Sequence, residues 1–183
     1  ERTEAALAQT EALYTGSDRV IRAPTTDDIL LALVESTAIQ QFDWANIMFF
    51  DKVWDETPPE TATVAAVWEQ SAESSPLPAG TRYELKQIPA VLLIQRDEPT
   101  FVRDVIEDER VDENMRALFE QVGTRSLIVF PLTAGEQWIG ILTVQSGVPL
   151  ELFEDQIRQI TSLVDQAAAV IQTQRLVEQT QGS

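Results

Sequence analysis

The sequence predicts an α+β layer fold, a sheet buried between two covering layers. Three observations carry that expectation. The first is the stretch from Arg125 to Gln145, which reads as two apolar strands joined by an Ala134-Gly135-Glu136 turn. Along the first strand Leu127 and Val129 point one way, and Ile128, Phe130 and Leu132 the other. Along the second, Trp138, Leu142 and Val144 alternate with Ile139 and Ile141. A strand that is apolar on both faces has to be covered on both. The second observation is the helical spacing of apolar residues at the two ends of the chain. The third is the element order: helix, helix, two strands, a loop with small elements, two strands, helix. No internal repeat is visible.

Each element has its own signal. In the segment from Glu1 to about Arg22, Ala6, Leu13 and Val20 repeat at heptad spacing, as do Leu7, Tyr14 and Ile21, with Gly16 and Ser17 interrupting the stripe. After Pro24, Thr25 and Asp28 form an N-cap pair ahead of Ile29, Leu30, Leu33 and Val34, opening a helix that runs to about Gln41. Asn46–Phe50 and Thr63–Glu69 read as strands around a loop holding Pro58 and Pro59. Ser71–Thr81 is loop, Tyr83 and Leu85 form a short strand, Pro89 opens a short helix through Ile94, and Thr100–Val105 is another strand. Val111, Met115, Leu118, Phe119 and Val122 fall at helical spacing, and Gly123 stops that helix. The last helix spans Phe153–Gln181. Ile157, Ile160, Leu163, Val164, Ala167, Val170 and Ile171 give it a wide apolar stripe that narrows to Gln174 and Val177.

Composition removes several chemistries. The 183 residues include no Cys and no His. Structural zinc, iron–sulfur ligation, a His-ligated haem, a thiol nucleophile and a histidine base or phosphoacceptor all lack their residue. The net charge of −17 opposes binding to nucleic acid or to an anionic membrane face. No apolar run approaches the roughly 20 residues that span a bilayer, and no signal peptide is visible. The chain begins at Glu1 without an initiator Met, which reads as a piece excised from a longer protein.

The run Arg125-Ser126-Leu127-Ile128-Val129-Phe130-Pro131-Leu132, then Gly135-Glu136, then Ile139-Gly140-Ile141-Leu142, resembles the strand pair of a GAF domain. The spacing to the closing helix from Phe153-Glu154 is similar, and Asp27-Asp28-Ile29-Leu30 before the strand at Ile47 resembles the family's opening helix. The resemblance covers residues 25–171, with residues 1–24 as an N-terminal signalling or dimerisation helix and 172–183 as an extension of the closing helix. It implies a central antiparallel sheet of five or six strands. The N- and C-terminal helices would pack on one face, and loops and short helices would cover a pocket on the other. Gly140 reads as a point where a side chain would collide with whatever crosses that face of the strand closely. The family's known ligand signatures are missing. There is no Cys for a covalent bilin or for methionine sulfoxide reduction, no His for haem, and no Asn-Lys-Phe-Asp-Glu motif of cyclic-nucleotide binders. No cofactor is expected.

Trp68, Tyr83, Phe101 and Arg103 fall in segments that surround the pocket in the resembled family. They suggest an aromatic-lined cavity with an arginine for an anionic or carbonyl-bearing ligand. The plainer and preferred reading is core aromatics with a surface arginine. Phe49, Phe130 and Trp138 are core candidates. The acidic run Asp104, Glu107, Asp108, Glu109, Asp112 and Glu113 reads as a solvated face; it lacks the spacing of a calcium loop and any companion of a two-carboxylate enzyme. The function expected is a non-catalytic sensor module of a bacterial signalling protein such as a sensor kinase, a cyclic-di-nucleotide enzyme or a transcription regulator. It would be cytoplasmic and homodimeric through its terminal helices, with a possible small-molecule ligand and no nucleic-acid or direct membrane contact. The alternatives are a structural dimerisation domain with a filled pocket and, further off, a carboxylate-dependent enzyme.

Overall fold

The computed structural model describes residues 14–71, 78–88, 91 and 93–181. The short helix expected from Pro89 and part of the N-terminal heptad stripe lie outside them. Helix α1 covers residues 14–22. It is followed by α2 (Thr26–Ser36), a 3-10 turn (Ala38–Gln41), β1 (Trp44–Phe50), β2 (Thr61–Glu69), β3 (Arg82–Glu84) and a second 3-10 turn (Leu85–Gln87). Then come β4 (Thr100–Val102), α3 (Glu113–Val122), β5 (Ser126–Ala134), β6 (Gln137–Ser146) and α4 (Glu154–Gln181). The strands form one antiparallel sheet in the order β3-β2-β1-β6-β5-β4. The fold is the α+β architecture expected.

The boundaries have local causes. Thr25 caps α2 by accepting from the Asp28 amide at 3.2 Å. The helix stops short of Gln41 because the Thr37 hydroxyl turns back to the Leu33 carbonyl at 2.6 Å and accepts from the Ile39 amide, opening the 3-10 turn. Asp112 caps α3 through the Met115 amide at 2.8 Å, and Gly123 closes it with φ 76°. Gly135, at φ 63°, makes the β5–β6 turn.

Both faces of the sheet are covered. On one side α1, α2 and α4 bring Val20, Leu30, Leu33, Ile160, Leu163 and Ala167 against Ile47, Ile128, Phe130, Leu142 and Val144. On the other, here the distal face, α3 and the connecting loops bring Met115, Phe119, Leu85, Val105 and Val111 against Met48, Phe50, Val64, Leu127, Val129 and Ile141. The helix runs through Gly16, and its missing side chain is a packing device. A Cβ there would lie 2.9 Å from Ser36 Cβ and 3.1 Å from Leu163 Cδ1, so glycine lets α1 settle onto α2 and α4.

Two β-bulges set which residues face which way. Ile47 pairs with Ala66 and Met48 with Val64, so Ala65 is the extra residue in β2. Leu132 pairs with Gly140 and Thr133 with Trp138, so Ile139 is the extra residue in β6. The strict alternation expected for β6 therefore breaks: Trp138 and Ile141 face the distal side, while Ile139, Leu142 and Val144 face the helices. In β5 the expected alternation is as read from the sequence. The close approach expected at Gly140 comes from the neighbouring strand, whose Met48 carbonyl oxygen would lie 2.2 Å from a Cβ.

Candidate functional site

A cleft of about 630 Å³ opens on the distal side, where the β1–β2 connection meets β3 and the 3-10 turn after it. Trp54, Pro58, Pro59, Leu85 and Val91 give it apolar walls, and Glu60, Thr61, Glu84 and Lys86 supply its polar groups. Hydrogen bonds hold the walls. The Leu85 amide donates to the Glu60 carbonyl at 2.9 Å, and the Asp51 amide to the Thr61 carbonyl at 3.0 Å. Asp55 accepts from the Thr57 amide at 2.8 Å, a bond that with nearby Lys52 holds its carboxyl below the usual range. Lys86 lies 3.2 Å from Glu84.

An aromatic trio sits beside the cleft. Trp54 stacks on Trp138 with ring centroids 4.4 Å apart, and Phe50 meets both edge-on at 5.4 and 5.6 Å. Trp138 donates its indole N–H to the Gly140 carbonyl at 2.9 Å, and the Trp54 amide donates to the Trp138 carbonyl at 2.9 Å. The Arg96 guanidinium donates to the carbonyls of Trp54 and Glu136, tying the cleft loop to the β5–β6 hairpin.

The four residues singled out from the sequence do not converge. Trp68 packs with the helix-side cluster because the Ala65 bulge shifts the phase of β2. Phe101 also packs on the helix side, since Thr100 and Val102 take the buried positions on either side of it. Arg103 is exposed and pairs loosely with Glu151 at 3.9 Å. Tyr83 alone joins the distal cluster, on the strand that supplies Glu84 to the cleft.

Half of the acidic run is a structural device, while Glu107, Glu109 and Glu113 are exposed as expected of a solvated face. Asp104, nearly buried, takes a two-pronged bond from Arg125 (Nε–Oδ1 3.1 Å, Nη2–Oδ2 2.9 Å) and accepts from the Ile106 amide. The Arg125 guanidinium above all holds its carboxyl below the usual range. Asp108 is held down likewise by Arg110, which also reaches the Phe101 carbonyl at 2.6 Å. Among the described residues, no group of three or more Asp or Glu is placed to hold a metal ion. Asp165, the described carboxyl pushed upward, owes that to desolvation and lies on α4, across the sheet from the cleft.

A buried polar pair also interrupts the distal face. Asn46 and Thr143 face each other across β1 and β6, and the Thr143 hydroxyl donates to Asn46 Oδ1 at 2.6 Å. An asparagine inside the apolar strand Trp44–Phe50 was the available signal for it. Trp54 and Glu60 were hidden in a stretch legible only as a proline-containing loop.

A GAF domain family model matches residues 25–171, so the chain belongs to the GAF domain family. Its members are typically sensor or regulatory modules of signalling proteins. The chain is similar to the phycocyanobilin-bound GAF domain of a cyanobacterial phytochrome, at 21% identity and TM-score 0.70, with 92% of this chain and 96% of that one covered. It is similar to a domain of a putative two-component sensor histidine kinase from Sinorhizobium meliloti 1021, at 21% identity and TM-score 0.60, covering 86% and 99%. It is also similar to the GAF domain of Acinetobacter phosphoenolpyruvate-protein phosphotransferase, at 18% identity and TM-score 0.68, covering 94% and 98%. At these identities the likeness is one of fold. No curated protein sequence matches the chain. No described helix is long and apolar enough to cross a membrane.

Proposed function

We propose that the chain is a non-catalytic sensor module of a bacterial signal-transduction protein. It takes a small molecule in the distal cleft and relays occupancy through α4 to a neighbouring domain. One observation carries the reading: two strand ends have an aromatic packed on the cleft residue Trp54 on one face and α4 on the other. In β1, Phe50 meets Trp54 distally, while its neighbour Phe49 lies 4.5 Å beneath the Arg175 guanidinium of α4. In β6, Trp138 stacks on Trp54, while its neighbour Gln137 accepts from Gln172 of α4 at 2.7 Å. Movement of Trp54 thus has a short physical route to the C-terminal half of α4.

The module acts as a cytoplasmic homodimer in this reading. Tyr14 and Ile21 on α1 and Leu176 and Val177 on α4 are exposed, and these two helices run in the same direction, Gly16 packing on Leu163 and the Ala23 carbonyl accepting from Gln174. A second copy would cover such a surface. A purely structural dimerisation domain is the second reading, favoured by the close packing of the aromatic trio above the ends of β1 and β6.

Native mass spectrometry of the purified protein tests the sensing role. A small-molecule adduct that disappears in Trp54→Ala supports it. No adduct, together with no melting shift across a metabolite panel, overturns it and leaves the structural reading.

A further inference from the structure

We infer that the cleft selects an organic cation with a flat apolar body, a conclusion that rests on the cleft being the ligand site. The lining carries three charges. Lys86 and Glu84 neutralise each other at 3.2 Å, and Lys86 is directed mostly into water, its side chain 83% exposed. The Glu60 carboxylate has no partner among the described residues, while its backbone carbonyl is fixed by Leu85. Two arginines bond to cleft residues from outside the lining, Arg82 to the Thr61 hydroxyl at 3.4 Å and Arg96 to the carbonyls of Trp54 and Glu136; these acceptors are neutral, so both guanidinium groups keep their charge behind the cleft wall. Neither lines the cleft.

The lining therefore presents one unbalanced negative charge beside an indole and two prolines. The face of an indole attracts a cation, and tryptophan is the strongest of the aromatic side chains in this respect. The field of the whole chain, at net −17, adds to the bias by concentrating cations and repelling anions at low salt. Arg103, the residue that suggested an anionic ligand, is not at the cleft; it pairs with Glu151.

Titration calorimetry with three probes of one shape tests this: naphthylmethylammonium, naphthylmethanol and naphthoate. The expected order of affinity is cation, then alcohol, then carboxylate, with the gaps narrowing as salt rises. Glu60→Gln should weaken the cation about two- to fivefold and leave the alcohol unchanged, as for a solvent-exposed charge pair. Lys86→Gln should strengthen the cation. Both positions are exposed, so neither variant threatens folding. Trp54→Phe should weaken all three probes. A carboxylate that binds as well as the cation, or a cation affinity unmoved by Glu60→Gln, overturns the cation assignment and leaves the cleft as a site. Binding of no probe, or binding indifferent to Trp54→Phe, removes the cleft as a site and the assignment with it.

Discussion

Replacing Gly140 by alanine is the sharpest test of how the sheet is assembled. An added Cβ would sit 2.2 Å from the Met48 carbonyl oxygen, 3.2 Å from the Met48 carbonyl carbon and 3.2 Å from Phe49 Cα. All three atoms belong to the backbone of β1, so no rotamer change relieves the overlap. Nonbonded carbon contacts settle at about 3.5–4.0 Å, so β1 and β6 would have to part by roughly 1 Å in the centre of the sheet. Overpacking of this kind costs about 1–3 kcal/mol, and a backbone-on-backbone clash belongs at the upper end. At roughly 2–4 °C per kcal/mol for a domain of this size, Gly140→Ala should melt about 6–12 °C below the parent. Gly135→Ala is the control. Its φ is 63° with nothing within 4 Å of a Cβ, so it meets backbone strain alone, about 1–2 kcal/mol. Urea unfolding and thermal melts of both variants read the comparison. If Gly140→Ala loses less than Gly135→Ala, the close strand approach and the β6 bulge beside it are wrongly placed.

Thr143→Val strips the Asn46 side chain of its buried partner and should cost about 1–3 kcal/mol in urea unfolding. Replacing both residues by valine should cost less than the sum of the two single changes. Asp104, held below the usual carboxylate range by Arg125, contributes its full stability above the ordinary aspartate pKa of about 3.9 and loses it as pH falls through the lower folded value. Asp104→Asn should therefore melt lower at neutral pH and show a flatter fall below about pH 4 in a pH series of melts. Ile21→Lys combined with Val177→Lys places charges on the exposed α1–α4 stripe. The parent should sediment as a dimer and the double variant as a monomer, with an unchanged melt at low protein concentration; a parent that sediments as a monomer removes the dimer proposal.

Much of the architecture was legible because burial on both faces leaves an unambiguous mark. Ile128, Phe130 and Leu132 against Leu127 and Val129 required two covering layers, and Thr25, Gly123 and Gly135 marked ends and turns by their own chemistry. Site residues were harder to read, for a physical reason. A bulge inserts one residue and reverses every side chain beyond it, and neither Ala65 nor Ile139 announces itself as an insertion. Trp68 thus joined the helical side. Trp54 and Glu60 depend on a loop folding back over the sheet, held by backbone bonds such as that from Leu85 to Glu60, which no local pattern encodes. The acidic run looked like a uniform solvated face, yet Asp104, Asp108 and Asp112 each hold a specific partner.

The proposed relay depends on coupling between the aromatics packed around Trp54 and the C-terminal half of α4 through the strand ends Phe49–Phe50 and Gln137–Trp138. Hydrogen exchange of Trp54→Leu against the parent measures this without any ligand. Coupling of this kind gives faster exchange in the cleft loop and, separately, in residues 170–178 of α4, with 154–163 unchanged. Faster exchange confined to the cleft loop and the β5–β6 hairpin, with all of α4 unmoved, would contradict it.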